Sequence, residues 1–293
     1  MDISPSNYLM VEWILVAVCL IVIVARIAVR TWRRMWAFWL SDVLLIIAFL
    51  TFITLVIGDT WTFTRGQNDF NVFYTEGFTK WLFFADIVYD LGFYFPRFSL
   101  LAFYHELFPI SEETLRKCSY AIAAYNVCAF ITTAFIDLFW CGLDVSVNWK
   151  HDSTCTLLDA PVTLKINWTL GVVAELLVFV LPFGLLRRLK VTPRRDKIAL
   201  ACLFAIGFAS ILATVARLVF GILAVSSLTT YVIGSTEIAT QIVVVGLPAL
   251  RPLLRMIPKK NPSKSRAAQN TDIPNIEMHR PEEDDARASA SNA

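Results

Sequence analysis

Three ionisable side chains lie on one face of an otherwise apolar stretch, residues 80–108 (KWLFFADIVYDLGFYFPRFSLLAFYHELF). At about 100° per residue, Asp86, Asp90 and Arg97 point within roughly 40° of one another, and Tyr104 continues the same stripe. A charged group placed in hydrocarbon costs roughly 3 to 17 kcal/mol by different scales. The stripe must therefore face protein or water, and each charge needs a partner from another segment.

The composition indicates a membrane protein. Of the 293 residues, 57% are hydrophobic and 17% are charged, with a mean hydropathy of +0.60, whereas soluble domains are typically about 45–50% apolar. These values predict a polytopic α-helical protein of the plasma membrane or an endomembrane, in contact with membrane lipid. Because the basic residues lie in connections and form no face with interleaved aromatics, we expect no nucleic-acid partner.

Seven apolar segments are long enough to span a bilayer, which takes about 20 residues of helix. We predict an all-α fold with seven transmembrane helices, at residues 9–29, 36–57, 80–108, 115–140, 166–189, 198–225 and 231–254. Residues 1–8 then form a short extracytoplasmic N-terminus, and residues 9–257 form the seven-helix domain. Residues 258–293 are rich in Lys, Asn, Ser, Pro and Glu, a composition that predicts a disordered cytoplasmic tail.

Basic residues set the predicted orientation. Arg and Lys concentrate in alternate connections, at 30–34, 116–117, 187–197 and 255–266, and connections enriched in this way are cytoplasmic. The N-terminus is therefore predicted to be outside and the C-terminus cytoplasmic. In this orientation Cys141 and Cys155 are the only cysteines in an outer connection, where the environment is oxidising, and we expect them to form a disulfide.

Counting residues from the predicted helix ends sorts the membrane-embedded charges into two layers. The outer layer contains Asp86, Asp90, Arg217 and Glu237, with Glu175 nearer the middle. Its acids outnumber its one arginine, and they cannot all remain ionised in a low-dielectric interior. We favour a water-filled or ligand-filled cavity that opens outward, with a closed hydrogen-bonded core as the alternative. Their similar depth pairs Glu237 with Arg217. Each of the four acids is a candidate ligand-binding or catalytic group, and Arg217 is a candidate ligand-binding residue.

The inner layer contains Arg26, Asp42 and Arg97. Arg97 lies about 16 Å along the helix axis from Asp86, at 1.5 Å per residue. Its depth and its charge predict an ion pair with Asp42, joined by Arg26, close to the cytoplasmic face. Such a network would be either a clamp that packs three helices together or a switch that breaks on activation.

No metal or phosphate-binding motif is present in the sequence. There is no Gly-rich phosphate loop, no Cys/His metal spacing and no Gly-x-Ser-x-Gly elbow. Pro96, Pro182 and Pro248 each remove a backbone hydrogen bond and can kink a helix near a cavity. Asn167 begins a glycosylation sequon, but it lies at the mouth of a predicted helix, so we expect it to remain unmodified.

Several motifs together resemble the fungal rhodopsin-like domain proteins, seven-helix membrane proteins that include G-protein-coupled surface sensors. The matching pieces are the arginines before Asp42; PRFSLLAFY, with Arg97 in place of the family's usual lysine; Cys141, Trp149 and Cys155; Glu175 with Pro182; Lys197, Gly207 and Arg217; and Glu237 with PALRPLL. The chain departs from the family in having Ser41-Asp42 where two adjacent Asp are usual, and in lacking Gly-x-Gly-x-x-His after the second helix. These departures indicate a specialised member of such a family.

A retinal cofactor is not expected in this chain despite that resemblance. A retinal Schiff base needs an amine in the middle of the last helix, and residues 231–254 contain no lysine. We therefore predict no cofactor and exclude light-driven pumping.

Two classes of function remain open. In the first, the chain is a receptor that binds a small apolar or amphipathic ligand from outside and contacts a G protein through its cytoplasmic connections. In the second, it is an accessory protein or cyclase of a fungal secondary-metabolite pathway. There a buried Asp or Glu would protonate a polyene or an epoxide between aromatic walls.

Overall fold

A computed structural model gives the arrangement of the helices. It describes residues 5–32, 39–65, 76–107, 113–149, 155, 161–188, 207–208, 210–216, 218–219 and 227–256. The α-helices are α1 (Pro5–Trp32), α2 (Trp39–Thr64), α3 (Glu76–Gly92), α4 (Tyr94–Leu107), α5 (Glu113–Phe139), α6 (Pro161–Arg188) and α7 (Ser227–Met256). A short 3-10 turn, Val145–Trp149, follows α5. The residues described between 207 and 219 are also helical and are called the 207–219 segment.

The predicted all-α, multi-pass membrane character is confirmed. Among the described helices, α1, α2, α5 and α6 are long and apolar enough to cross a bilayer, and α7 contains a shorter apolar stretch, Ile233–Leu247. Large apolar side chains such as Ile21, Phe135 and Val180 are exposed, as lipid-facing positions require. The first helix begins at Pro5 instead of Leu9, whereas the predicted tail, 258–293, lies outside the described residues.

The stretch predicted as one helix over residues 80–108 is two helices with a turn at Phe93 between them. Pro96 explains the break, because its nitrogen has no hydrogen to donate to the carbonyl of Gly92 and its ring clashes with that carbonyl. Pro96 was predicted to kink the helix, but the side-chain directions of residues 86–104 were predicted as if the helix were continuous. Residues on α4 therefore have to be placed from the structure.

The core lies along α1, α2, α4 and α7. Buried apolar side chains from these four helices form one cluster that includes Cys19, Phe52, Leu101 and Ile242. The closest packing joins α1 to α7, α2 to α4, and α5 to α6. Two sequence neighbours, α2 and α3, approach closely at Gly58, where an added Cβ would lie 1.5 Å from Trp81 Cζ2.

The predicted disulfide between Cys141 and Cys155 is confirmed, with the two Cα atoms 5.8 Å apart. The 3-10 turn next to it packs on α3, where the Trp149 ring meets Phe83 edge-on at 5.8 Å between centroids. Lys80 Nζ lies 5.6 Å from the centre of the same indole ring. The disulfide-closed connection is thereby held against the first half of α3.

Candidate functional site

Arg26 is the centre of a buried polar network that joins three helices. Its side chain is 0% exposed, and its Nε donates to Asp42 Oδ1 at 2.8 Å while Nη2 donates to Ser41 Oγ at 2.6 Å. Nη1 donates to the backbone carbonyl of Val245 on α7. The structure thus brings together Arg26 and Asp42, two of the three residues assigned to the inner layer.

Two further residues, Arg30 and Ser99, extend the Arg26 network. Arg30 Nη1 pairs with Asp42, and the sequence analysis missed it because α1 continues to Trp32 instead of ending at Val29. On α4, Ser99 Oγ donates to the Ser41 carbonyl at 2.5 Å, and Ser41 Oγ donates to the Ser99 carbonyl at 2.7 Å. The network therefore ties α1, α2, α4 and α7 together.

The predicted pair between Arg97 and Asp42 is wrong. Arg97 pairs with Glu175 on α6, at 3.6 Å from Nη2 to Oε2. The side chains of Arg97 and Ser99 point in different directions around the axis of α4. Ser99 faces α2, and a residue two positions earlier on a helix points about 200° away from it. Arg97 therefore faces α6 although its depth matches that of Asp42.

Arg97 is held in place by aromatic rings and by a small residue opposite. Its guanidinium carbon lies 5.4 Å from the Tyr94 ring centre and 5.9 Å from that of Phe93, within the range of cation–π attraction. A Cβ added to Gly171 would lie 3.7 Å from Nη1, so the guanidinium packs directly against α6. Nevertheless Arg97 is 5% exposed and neither its Nε nor its Nη1 has a hydrogen-bond partner among the described residues.

Glu175 and Glu237 meet at one hydroxyl group of the 207–219 segment, that of Thr214, and Glu175 also contacts Ser210. Ser210 Oγ donates to Glu175 Oε1 at 2.5 Å. Thr214 Oγ1 lies 3.1 Å from Glu175 Oε2 and is also bonded to Glu237 Oε1. One hydroxyl proton can serve only one of these carboxyl groups at a time. Arg217, the predicted partner of Glu237, lies outside the described residues, so that pairing stays a prediction.

Asp90 is bridged to a second acid, Asp137, by Asn167. The Nδ2 group of Asn167 donates to Asp90 Oδ2 at 2.8 Å and to Asp137 Oδ1 at 2.6 Å. The sequence analysis missed Asp137, although a carboxylate within a predicted span was a sufficient signal, and it considered Asn167 only as a glycosylation site. Asp86 lies one turn before Asp90 on α3 and is partly buried.

These groups surround a small cavity, here named the polar cavity, with free space of about 20 Å³. Asp90, Arg97, Asn167 and Glu237 all line it, and its aromatic wall is Phe93, Tyr94 and Trp168. Of the predicted outer-layer residues, the structure places Asp90 and Glu237 in the cavity wall and Glu175 next to it.

A third polar cluster, on α1, α2 and α7, was not predicted. The Tyr8 hydroxyl lies 2.8 Å from Glu12 Oε1 and 2.8 Å from Asp59 Oδ2, and Ser235 Oγ donates to the same Glu12 oxygen at 2.6 Å. Asp59 was placed beyond the predicted end of the second helix at Ile57, but α2 continues to Thr64. Glu12 lies on α1 near its start, where the sequence analysis did not search for partners.

The chemistry available in the polar cavity is hydrogen bonding, charge recognition and proton transfer. No group of three His, Cys, Asp or Glu side chains within the described ranges is arranged to hold a metal ion. The cavity instead combines an arginine that has unused donors with carboxyl, amide and hydroxyl side chains and with aromatic rings.

Comparison with known proteins agrees with the family suggested by the motifs. No curated protein and no solved structure matches the chain significantly. The family model of the fungal rhodopsin domain matches residues 25–256, which span α2 to α7 and the C-terminal end of α1. The matched range also contains the polar cavity and the Arg26 network. The chain therefore belongs to the fungal rhodopsin domain family.

Proposed function

We propose that the chain is a receptor-like membrane protein that binds a small amphipathic molecule in the polar cavity and signals to cytoplasmic partners. The observation that supports this most directly is Arg97. A buried donor without an acceptor costs about 1–3 kcal/mol, and more when it is charged. An oxygen atom of a ligand in the cavity would accept from Arg97 Nε or Nη1 and remove that cost.

The aromatic wall and the acids define the rest of the ligand. Phe93, Tyr94 and Trp168 offer apolar surface, and Asp90 and Glu237 offer acceptors for a hydroxyl or amine group. A ligand with an apolar body and one or two polar oxygen or nitrogen groups fits this wall. A purely ionic ligand would leave the aromatic side unused.

The proposal includes the predicted orientation and seven spans. A disulfide forms in an oxidising compartment, which supports an outer position for the connection from α5 to α6. Each pass through the membrane reverses the side, so the N-terminus is outside and the C-terminus is cytoplasmic. The basic connection that would meet a G protein, 187–197, lies almost entirely outside the described residues.

The test uses conservative variants that remove charge but keep shape. Purified wild-type protein is screened for thermal stabilisation by ketones, esters and amines of matched carbon number. A molecule that stabilises the wild type should lose its effect on Asp90→Asn and on Glu237→Gln. Glu113→Gln, at an exposed side chain of α5, should respond like the wild type. If both cavity variants also keep the full response, the charges are structural and the site lies elsewhere.

The alternative is that the cavity carries out acid catalysis as a cyclase of a biosynthetic pathway. The specific observation in its favour is that the acids Asp90 and Glu237 share one cavity with three aromatic rings, which can stabilise a developing cation. Incubation with a polyene epoxide and analysis of the products by mass spectrometry separates the two functions. A cyclised product supports catalysis, and binding without turnover supports the receptor.

A further inference from the structure

A second cavity lies beyond the ion pair of Arg97 and Glu175. Its free space is about 60 Å³, and its walls come from α4, α6, α7 and the 207–219 segment. Leu100, Val178 and Phe179 form apolar walls on α4 and α6, and Val244 forms one on α7. We name it the apolar cavity, because in contrast to the polar cavity nearly all of its surface is hydrocarbon.

The two cavities are arranged end to end along the same helices. On α6 the polar cavity uses Trp168 and Gly171 and the apolar cavity uses Val178 and Phe179; on the 207–219 segment, which runs the other way, the order is reversed. Arg97 lines both cavities, but its Nη1 lies beside Gly171, a residue of the polar cavity. The guanidinium of Arg97 therefore lies between the two cavities, with Nη2 toward Glu175 of the apolar cavity.

One polar side chain in the apolar cavity, that of Gln241, forms no hydrogen bond within the described part of the chain. Gln241 is 5% exposed, and neither its Oε1 nor its Nε2 has a hydrogen-bond partner within the described part of the chain. Its neighbours on α7, Ile238 and Ile242, are fully buried in the apolar core. A buried amide without partners costs about 1–3 kcal/mol, so a leucine would serve packing better at this position.

Charge limits what the apolar cavity can bind. The Glu175 carboxyl already accepts from Ser210 and pairs with Arg97, and the other walls named above are hydrocarbon. An ionic ligand would therefore have to disturb this existing ion pair to find a counter-charge there. The amide of Gln241 offers a donor and an acceptor, which suits a group that can both accept and donate, such as a hydroxyl.

We propose that the apolar cavity is a second ligand site, which binds an uncharged, lipid-like molecule through a hydrogen bond between its hydroxyl group and Gln241. This site does not depend on the function of the polar cavity. Its ligand enters from the hydrocarbon of the membrane or is carried there with the protein, and in either case the apolar chain lies against Val178, Phe179 and Val244.

The test compares two photoreactive probes of equal length, a diazirine-bearing dodecanol and the corresponding dodecane, with the full-length protein in lipid nanodiscs. In the wild type, the alcohol should label the peptides that contain Phe179 or Val244 about two- to tenfold more than the alkane, the ratio expected from one hydrogen bond. Gln241→Leu should bring the ratio to one. Thr240→Val, which removes a hydroxyl from the adjacent position, should leave it unchanged.

The melting temperature of Gln241→Leu is the control for folding. Because this variant removes a buried polar group, it should melt at or above the wild-type temperature. A second variant, Val244→Phe, fills the cavity and should abolish labelling by both probes at these peptides. Equal labelling by the two probes in the wild type would overturn the proposal. So would a preference for the alcohol that persists in Gln241→Leu, or labelling confined to lipid-facing peptides of α1 and α5.

Discussion

Replacement of Arg26 by methionine should strongly destabilise the protein. Methionine keeps the length of the apolar stem but removes three polar contacts: with the Asp42 carboxylate, the Ser41 hydroxyl and the Val245 carbonyl. Polar contacts between membrane helices contribute on average about 0.6 kcal/mol each and at most about 1.7 kcal/mol. Three of them predict a loss of about 2–5 kcal/mol in the free energy of unfolding.

A similar range follows from the charge of the Asp42 carboxylate, which remains in the variant. Removing one partner of a buried ion pair costs about 3–5 kcal/mol, because the other charge is left without compensation. Arg30 still pairs with Asp42 in this variant, which keeps the expected loss at or below the upper end of that range. Arg26→Lys should be intermediate, since an ammonium group cannot reach three acceptors in the way that the planar guanidinium does.

Unfolding of the purified protein by increasing mole fractions of SDS in a mild detergent, followed by tryptophan fluorescence, measures this loss. The matched control is Lys117→Met, which removes an exposed pair with Glu113 on α5 and should change the free energy by less than about 0.5 kcal/mol. If Arg26→Met is no more destabilising than Lys117→Met, the buried contacts of Arg26 do not stabilise the protein.

Two further predictions follow from the helix contacts. A double-mutant cycle of Arg97→Met with Glu175→Gln should show a coupling energy of about 0.5–3 kcal/mol, whereas Arg97→Met with Asp42→Asn should be additive within about 0.5 kcal/mol; the opposite result would restore the pairing predicted from depth. Gly58→Ala should destabilise the protein by about 1–3 kcal/mol, as overpacking does, because the new methyl group would overlap the Trp81 ring. A thermal melt of Gly58→Ala that matches the wild type would show that α2 and α3 are not in close contact there.

The membrane class, the helices and the disulfide could be predicted because each depends on properties local in sequence. Apolar length predicts a span, and two cysteines in one outer connection predict a bond between them. The depth of a charge is also local, since it follows from the distance to the helix end. Depth was sufficient to place Arg26 with Asp42, whose helices are neighbours.

The direction in which a side chain points could not be predicted in the same way. Arg97 and Ser99 share a depth to within two residues, yet one faces α6 and the other faces α2, and the turn at Phe93 resets the helical phase between Asp90 and both of them. Which helix lies on which side of α4 depends on the packing of the whole bundle. A pairing based on depth alone therefore selected the wrong acid for Arg97.

Errors at helix ends explain the residues that were missed. Arg30 and Asp59 were both assigned to connections because the predicted helices ended several residues too early. Polar residues are common at the ends of membrane helices, where they can reach water, so hydropathy places these ends poorly. The cluster of Tyr8, Glu12, Asp59 and Ser235 could be recognised only after the helices were extended.

We propose that the polar cavity is open to the outer side of the membrane and accessible to a ligand. Gly171→Cys places a thiol beside Arg97 without a clash, since a Cβ at this position would be 3.7 Å from Nη1. Ala174→Cys is the matched control, one turn further along α6 at a site with 0% exposure. Both are made in a parent that keeps the disulfide and in which Cys118, Cys128 and Cys202 are replaced by serine.

The most direct measurement is the rate at which each introduced thiol reacts with a membrane-impermeant sulfonate reagent, methanethiosulfonate ethylsulfonate, added to one side of sealed vesicles. We predict that Gly171→Cys reacts when the reagent is added to the side of the disulfide, and that Ala174→Cys does not react from either side. If Gly171→Cys is as unreactive as Ala174→Cys, or if it reacts only from the opposite side, the polar cavity does not open to the outer side.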